Sequence, residues 1–401
     1  MELLAPAGNL EKLRHAYLYG ADAAYIGLES FSLRAKAGNL KPEEFEAAGR
    51  IKGDKKLYAA LNILFHNRDM AQLESFLDQL RPGIFDAFIL SDLGILPVLR
   101  SRFPDTPLHL STQANCINTG AARLYRDLGF SRIIPGRELS LKEVEEMKRN
   151  LPDLEIELFV HGAMCLAYSG RCFLSAYMAD RSANRGACTH PCRWTYRVLE
   201  EKERPGEYYP VLEEDGFTTI LSSKDLCMID HLKEIQDTGT DAVKIEGRMK
   251  SVYYTALVTR AYRKALDSLE NPGKEDITPY KDEMFKVSHR EFTTGFYFNR
   301  QEADHTTAAD YSRSHIFLGM LEDPLSDGCY RLTVKNSIRS SDTLEWIGPD
   351  ILYQQDNAFV LFDSEGKKVE KADHGAGWII KPGIPVRPGY LLRKKIPGES
   401  E

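Results

Sequence analysis

The sequence contains no run approaching the roughly 18 consecutive apolar residues that a membrane-crossing helix needs. Its start, Met1-Glu2-Leu3-Leu4-Ala5-Pro6, lacks the basic patch and apolar stretch of a secretory leader, so the cytoplasm is the expected compartment and no membrane partner is expected. Basic residues do not outnumber acidic ones: 52 Lys and Arg stand against 59 Asp and Glu, a formal net charge of −7. That balance excludes a protein that coats nucleic acid through its overall charge, and any nucleic-acid contact must come from a local patch. Three catalytic signatures are also missing. No G-x-G-x-x-G follows the first strand, which weakens a dinucleotide-binding reading, and neither H-E-x-x-H nor G-x-S-x-G occurs. No internal repeat or low-complexity tract is found.

What is present is a chain of 401 residues, 43% apolar, enough for one large domain and a small one. Short apolar, β-branched runs alternate with amphipathic charged stretches. Eight strands are expected: Glu2–Leu4, Ala23–Gly27, Leu57–Asn62, Ala87–Leu90, Leu108–Ser111, Arg132–Ile134, Glu155–Val160 and Ala242–Ile245. Helices are expected between them, from Asn9 as N-cap to Leu18, over Pro42–Arg50, over Met70–Leu80, and over Ser140–Arg149. In the last, Ser140 followed by Glu143 forms a capping-box pattern. Strands that are apolar throughout, alternating with helices, imply a buried parallel sheet, and eight such units favour an α/β fold closed as a TIM-like (β/α) barrel over an open doubly wound sheet.

The unit between the seventh and eighth strands is far too long for an ordinary crossover and must carry an insertion, over about 161–225. Glu200–Asp215 reads there as a surface excursion and Asp225–Asp237 as the helix that returns to the eighth strand. From about residue 306 the character changes to short strands with turn signals: Ile316–Leu321, Cys329–Lys335, Thr343–Trp346, Ala358–Phe362, Gly377–Lys381 and Tyr390–Leu392. The expected organisation is a barrel domain over 1–305 and a small all-β barrel over 306–401.

Polar residues gather just after the expected strands, among them Asn62 with His66, Gln113 with Asn115, Arg137 with Glu138, His161, and Glu246 with Arg248. Active sites of barrels lie at the C-terminal ends of the strands. Loops are polar in any protein, which accounts for any one of these residues; the set together favours a site.

Seven cysteines are present, and four of them, Cys165, Cys172, Cys188 and Cys192, are spaced C-x6-C-x15-C-x3-C within the insertion. In a reducing compartment such a group points to metal or catalysis before disulfides. Four converging thiolates bind zinc or an iron–sulfur cluster. Structural zinc usually shows close C-x2–4-C pairs on both sides, and only Cys188 and Cys192 pair so closely here, which favours a cluster held by a wrapping loop. Buried cysteines acting as small apolar residues account well for Cys116 and Cys329 and poorly for these four. Cys227 competes with Cys192 as fourth ligand. The same segment is locally basic: between Cys165 and Arg197 lie Arg171, Arg181, Arg185, Arg193 and Arg197 against the single acid Asp180, with Tyr168, Phe173, Tyr177, Trp194 and Tyr196 interleaved. Arginine with aromatic rings suits single-stranded RNA, by phosphate pairing and base stacking. Arginines that donate to cluster sulfurs or pair with acids elsewhere are the alternative.

These residues resemble a known family. Glu157-Leu-Phe159-Val-His161-Gly162-Ala-Met-Cys165 with Tyr168-Ser169-Gly170-Arg171-Cys172 is similar to the signature of peptidase family U32. So are Glu2–Gly8, Gly20–Ala23, Ser111–Asn115, Arg137–Ser140, Lys244–Ser251 and Thr293–Tyr297. Asn336–Arg339 resembles the family's C-terminal barrel, itself similar to translation-factor domain II. The family takes its name from an early collagenase assignment, but the resemblance implies oxygen-insertion chemistry in RNA modification or ubiquinone synthesis. The pattern is most similar to the branch that takes part in making 5-hydroxyuridine at the wobble position of tRNA, with prephenate implicated. It further implies a [4Fe–4S] centre on Cys165, Cys172, Cys188 and Cys192, the last being the least fixed. On strand-end position and motif match together, Asn62, Gln113, Arg137, Arg171, Lys244 and Arg248 are the candidate substrate-binding residues. The guanidinium groups among them match a dicarboxylate such as prephenate. Glu138, His161 and Glu246 are the candidates for moving protons. The competing expectations are a peptidase, and a non-catalytic RNA-binding or cluster-carrying scaffold.

Overall fold

The computed structural model describes residues 1–396 apart from 34–37, 166, 173, 180, 184–185, 190, 192–211, 215–216, 220–223, 274–275 and 299–313. Eight parallel strands close a barrel: β1 (Glu2–Ala7), β2 (Ala23–Gly27), β3 (Lys56–Leu61), β4 (Ala87–Leu90), β5 (Leu108–Leu110), β6 (Arg132–Ile133), β7 (Glu155–Ala163) and, after the short β8 (Asp225–Cys227), β9 (Ala242–Ile245). Neighbours in the chain pair in order, β9 pairs with β1 through Leu3↔Val243, and it closes the ring on β7 through Val243↔Leu158. The strands are largely apolar because both faces are covered, by the barrel interior and by helices.

Local signals set the helices. In α1 (Leu10–Leu18), Asn9 Oδ1 accepts from Lys12 N at 2.9 Å. In α6 (Leu141–Asn150), Ser140 and Glu143 form the reciprocal capping box. The remaining barrel helices are α2 (Phe45–Lys52), α3 (Asn67–Leu77), α4 (Leu96–Arg102), α5 (Thr119–Asp127), α7 (Leu174–Ala179), α8 (Leu232–Asp237), α9 (Val252–Glu270) and α10 (Thr278–Phe285).

One expectation is corrected. Asp225–Asp237 is not a single helix: its first three residues form β8, antiparallel to the end of β7 with Cys227↔His161, and parallel to β10 (Phe292–Thr293). The carboxylate of Asp225 is tied to Arg290 at 3.1 Å, and this buried pair anchors an extended edge rather than a helix start. Most of the expected excursion over 200–215, and the expected boundary at 305/306, lie outside the described residues.

The C-terminal unit is an antiparallel sheet built on β11 (His315–Pro324), flanked by β12 (Tyr330–Val334) and by the last strand, Leu391–Lys395. Trp346, fully buried, donates its indole N–H to Asp356 Oδ2 at 3.0 Å and sits in this unit's own core. The unit docks on α9, whose 19 residues are buried on nearly every face. Arg260 donates to the carbonyls of Gly348 and Ile351 at 2.6 Å each. Arg393 bonds Glu345, Glu283 and Tyr253 while wholly buried. No helix among the described residues is long and apolar enough to cross a membrane.

Candidate active site at the mouth of the barrel

The C-terminal ends of the strands surround a narrow, open-mouthed cleft. Its walls carry Asn62, Gln113, Arg137, Lys244, Glu246 and Arg248, six of the residues expected from sequence, around the rings of Tyr25 and Phe159.

Lys244 is buried on β9, and its ammonium bonds Glu157 Oε1 at 2.8 Å and lies 4.2 Å from the centre of the Tyr25 ring. Burial pushes its pKa down, and the Glu157 carboxylate opposes that shift. Glu157 is itself fully buried and also accepts from Arg132 Nη1 at 3.1 Å, while the same guanidinium atom reaches Glu2 at 2.6 Å. A line of alternating charge therefore runs through the barrel interior from Glu2 on β1 to Lys244 at the mouth. Neither Glu157's partners nor the line itself is visible in the sequence pattern, except that acids and bases stand inside otherwise apolar strands.

Arg248 follows β9 and donates through Nη1 to Ser32 Oγ at 2.6 Å, with Asn39 Oδ1 at 3.5 Å. Gly27 at the end of β2 leaves the space for it: a Cβ there would overlap the guanidinium and the Asn39 amide. The Arg137 guanidinium lies over Phe159, 3.9 Å from the ring centre, and donates to Ala163 O at 2.5 Å. Asn62 Oδ1 accepts from Leu33 N at 3.2 Å. Glu246 enters by a close backbone approach: its N–H donates to His161 O, and Gly162, at φ +105°, has no room for a Cβ, which would stand 2.6 Å from Glu246 O.

Three expected residues stand apart from this wall. His161 does not face the cleft: its ring points to the helix layer, with Nδ1 at 3.4 Å from Tyr262 Oη and the rings of Tyr254 and Phe292 about it. Burial, with the nearby charges of His289 and Lys250, pushes its pKa down to about 3, so it is a neutral ring in the outer core. Strict alternation would put His161 on the face of Phe159, but the chain shifts register between the two, and the shift breaks the alternation. Glu138 lies beside the mouth, where Oε1 accepts from Ser169 N at 2.7 Å and Oε2 is buried with no hydrogen-bond partner among the described residues. Arg171 is exposed on the outer rim.

Cys165, Cys172 and Cys188 lie in the segment that follows β7, Cys165 exposed and the others half-buried. Thr189, next to Cys188, is tied to Ser175, three residues after Cys172: Thr189 N donates to Ser175 Oγ at 3.0 Å. Soft thiolate donors of this number suit an iron–sulfur cluster better than a hard cation. Among the described residues, no three His, Cys, Asp or Glu side chains stand close enough together to hold a metal ion. Cys192 lies outside the described residues. Cys227 is on β8 with its sulfur 3.9 Å from Tyr262 Oη, and burial raises its pKa.

A closed parallel barrel with a cationic cleft at its C-terminal face and a thiol-bearing segment after the seventh strand defines a barrel of enzymatic type, extended by an antiparallel β-domain. The chain belongs to peptidase family U32: residues 8–307 match that family, and residues 313–393 match the peptidase family U32 C-terminal domain. It is similar to tRNA hydroxylation protein P of Escherichia coli (strain K12), 35% identical over 100% of this chain and 94% of that one. The 23S rRNA 5-hydroxycytidine C2501 synthase of the same organism is 33% identical over 76% of this chain and 46% of its own length. A collagenase of Porphyromonas gingivalis (strain ATCC BAA-308 / W83) is 31% identical over 79% of each chain.

Proposed function

We propose that this protein is a cytoplasmic RNA-modifying enzyme that hydroxylates a pyrimidine, the wobble uridine of tRNA, in the cleft at the barrel mouth. The observation that carries the reading is the end-to-end similarity to a tRNA hydroxylation protein, with an rRNA hydroxycytidine synthase as a second relative. The cleft suits the role. Arg137, Lys244 and Arg248 make it cationic, which favours phosphate or a small dicarboxylate such as prephenate. The rings of Tyr25 and Phe159 back the cations, with Lys244 held over Tyr25 and Arg137 over Phe159. Glu246 is the carboxylate positioned to take or give a proton there. Glu138 acts by holding the Ser169 backbone rather than by touching substrate. A host strain lacking the protein should lose hydroxylated pyrimidines from its RNA, read by nucleoside mass spectrometry. An unchanged nucleoside profile contradicts the reading.

A [4Fe–4S] cluster on Cys165, Cys172, Cys188 and Cys192 belongs to the same proposal, and when bound it supplies redox or Lewis-acid chemistry. Anaerobic preparations should hold about four iron and four sulfide per chain, lost in C192A and kept in C227A. Zinc in place of iron would overturn the cluster.

The collagenase relative favours a peptidase as second reading. Among the described residues the cleft wall holds the hydroxyls of Ser111 and Thr112 but no His, Cys or Asp, and Thr112 Oγ1 already donates to Pro135 O at 2.9 Å. Peptide cleavage by purified protein that a single cleft substitution abolishes would establish it; an unaffected or absent activity would remove it.

A further inference from the structure

Beside the cleft is a small opening between Leu64, in the loop after β3, and Gly170, in the segment after β7; Leu33, Asn62 and Gln113 line both. On its rim stands a tight turn, Tyr168-Ser169-Gly170-Arg171, closed by Arg171 N donating to Tyr168 O at 2.9 Å. Gly170 has φ +73°, and a Cβ there would overlap the Gln113 carbonyl oxygen, so the position requires glycine for its backbone angle and for its space. The turn is clamped to the barrel: Ser169 N donates to Glu138, and Arg137 N reaches Ser169 Oγ at 3.5 Å.

The two side chains at the ends of this rigid turn are given to solvent. Tyr168 is 62% exposed, and Leu64 across the opening is 45% exposed. Arg171 is exposed and has no carboxylate partner among the described residues. Neither contributes to a core, and in sequence they belong to the Cys165–Arg197 stretch, which carries five arginines against one acid in a chain of net −7. An aromatic face and a guanidinium held a turn apart beside a cleft entrance match a nucleotide, the ring for its base and the cation for its phosphate.

We propose that Tyr168 and Arg171 form a stacking lip: the nucleotide next to the target stacks on Tyr168 with its phosphate against Arg171, and the target base, swung out of the strand, enters between Leu64 and Gly170. The inference rests on the RNA-modifying reading above and adds that the target must be unpaired when it binds. Anisotropy of a fluorescein-labelled single-stranded oligouridylate, titrated with the full chain, tests it. Y168A should bind about tenfold more weakly, and Y168W within about twofold of wild type. R171A should bind more weakly and lower the slope of log affinity against log salt by about 0.7. The same strand annealed to oligoadenylate should bind more weakly than the single strand. No binding by wild type, equal binding of Y168A and wild type, or equal binding of single strand and duplex overturns the lip. RNA from the host separates this from the wider reading. If loss of the protein leaves hydroxylated nucleosides intact, the wider reading fails. If they disappear and Y168A restores them as fully as wild type, the wider reading stands and the lip falls.

Discussion

Lys244 is the residue whose charge the cleft depends on most and holds least securely. Burial lowers its pKa below the usual 10.5, and the Glu157 carboxylate beside it opposes that. Replacing Glu157 with Gln leaves two buried cations, Lys244 and Arg132, short of a countercharge. E157Q should lower stability by about 3–5 kcal/mol, read by denaturant titration. It should also move the alkaline limb of hydroxylation. The sign follows from the direction of the shift: the ammonium is lost as pH rises through a pKa already below 10.5, and removing the carboxylate lowers that pKa further, so activity falls at a lower pH than in wild type. An unmoved limb in a folded E157Q protein would show that Lys244 need not be charged.

At the scale of elements, the end of β7 determines what the site contains. Gly162 lets this strand lie against Glu246, so G162A, with its Cβ 2.6 Å from a carbonyl oxygen and an unfavourable φ, should cost about 1–3 kcal/mol and pull Glu246 off the cleft wall. A melting curve and the activity of the same preparation check both effects; wild-type values in both would remove the argument. The same strand shows where the sequence stops being legible. Apolar runs and caps are local signals, and they located the barrel strands, the Ser140 capping box and the strand-end positions of Asn62, Gln113, Lys244, Glu246 and Arg248. Which way a side chain points near a register shift depends on the partner strand, and His161, read as a site residue for following a strand, turns instead to Tyr262. Asp225–Cys227 was read as helix because its pairing partners, β7 and β10, lie more than 60 residues away on either side. Likewise the Glu2–Arg132–Glu157–Lys244 line joins residues from four strands, and no spacing rule connects them.

Over the whole molecule, the barrel and the β-domain are joined through buried charge. Arg393 meets Glu345 at 2.6 Å and Glu283 at 2.7 Å with no exposure of its own, and Tyr253 of α9 stacks on Phe317 of β11. R393A should leave Glu283 to Lys286 and Glu345 to His315, remove the cation they share and cost about 3 kcal/mol, with limited proteolysis separating the two domains sooner. Acid should act on the same joint. Burial alone would raise the pKa of Glu345, but His315 and Arg393 outweigh it and hold the carboxyl at about 2. Its contribution is present above its ordinary value of 4.5 and is lost as pH falls from there toward 2, so thermal stability should decline across that window in wild type and less steeply in R393A. Equal slopes would place the acid sensitivity elsewhere.

The joint matters because it sets the β-domain beside a barrel whose cationic mouth is the account's centre. Arg248 provides a direct test of that mouth, being at the cleft wall and fixed by Ser32. The measurement is nucleoside mass spectrometry of RNA from a host lacking this protein, complemented by the wild-type chain or by Arg248→Ala expressed at the same level. Wild type should restore hydroxylated pyrimidines, and Arg248→Ala, though folded, should not. Full restoration by Arg248→Ala would contradict the assignment of this cleft as the site of RNA hydroxylation.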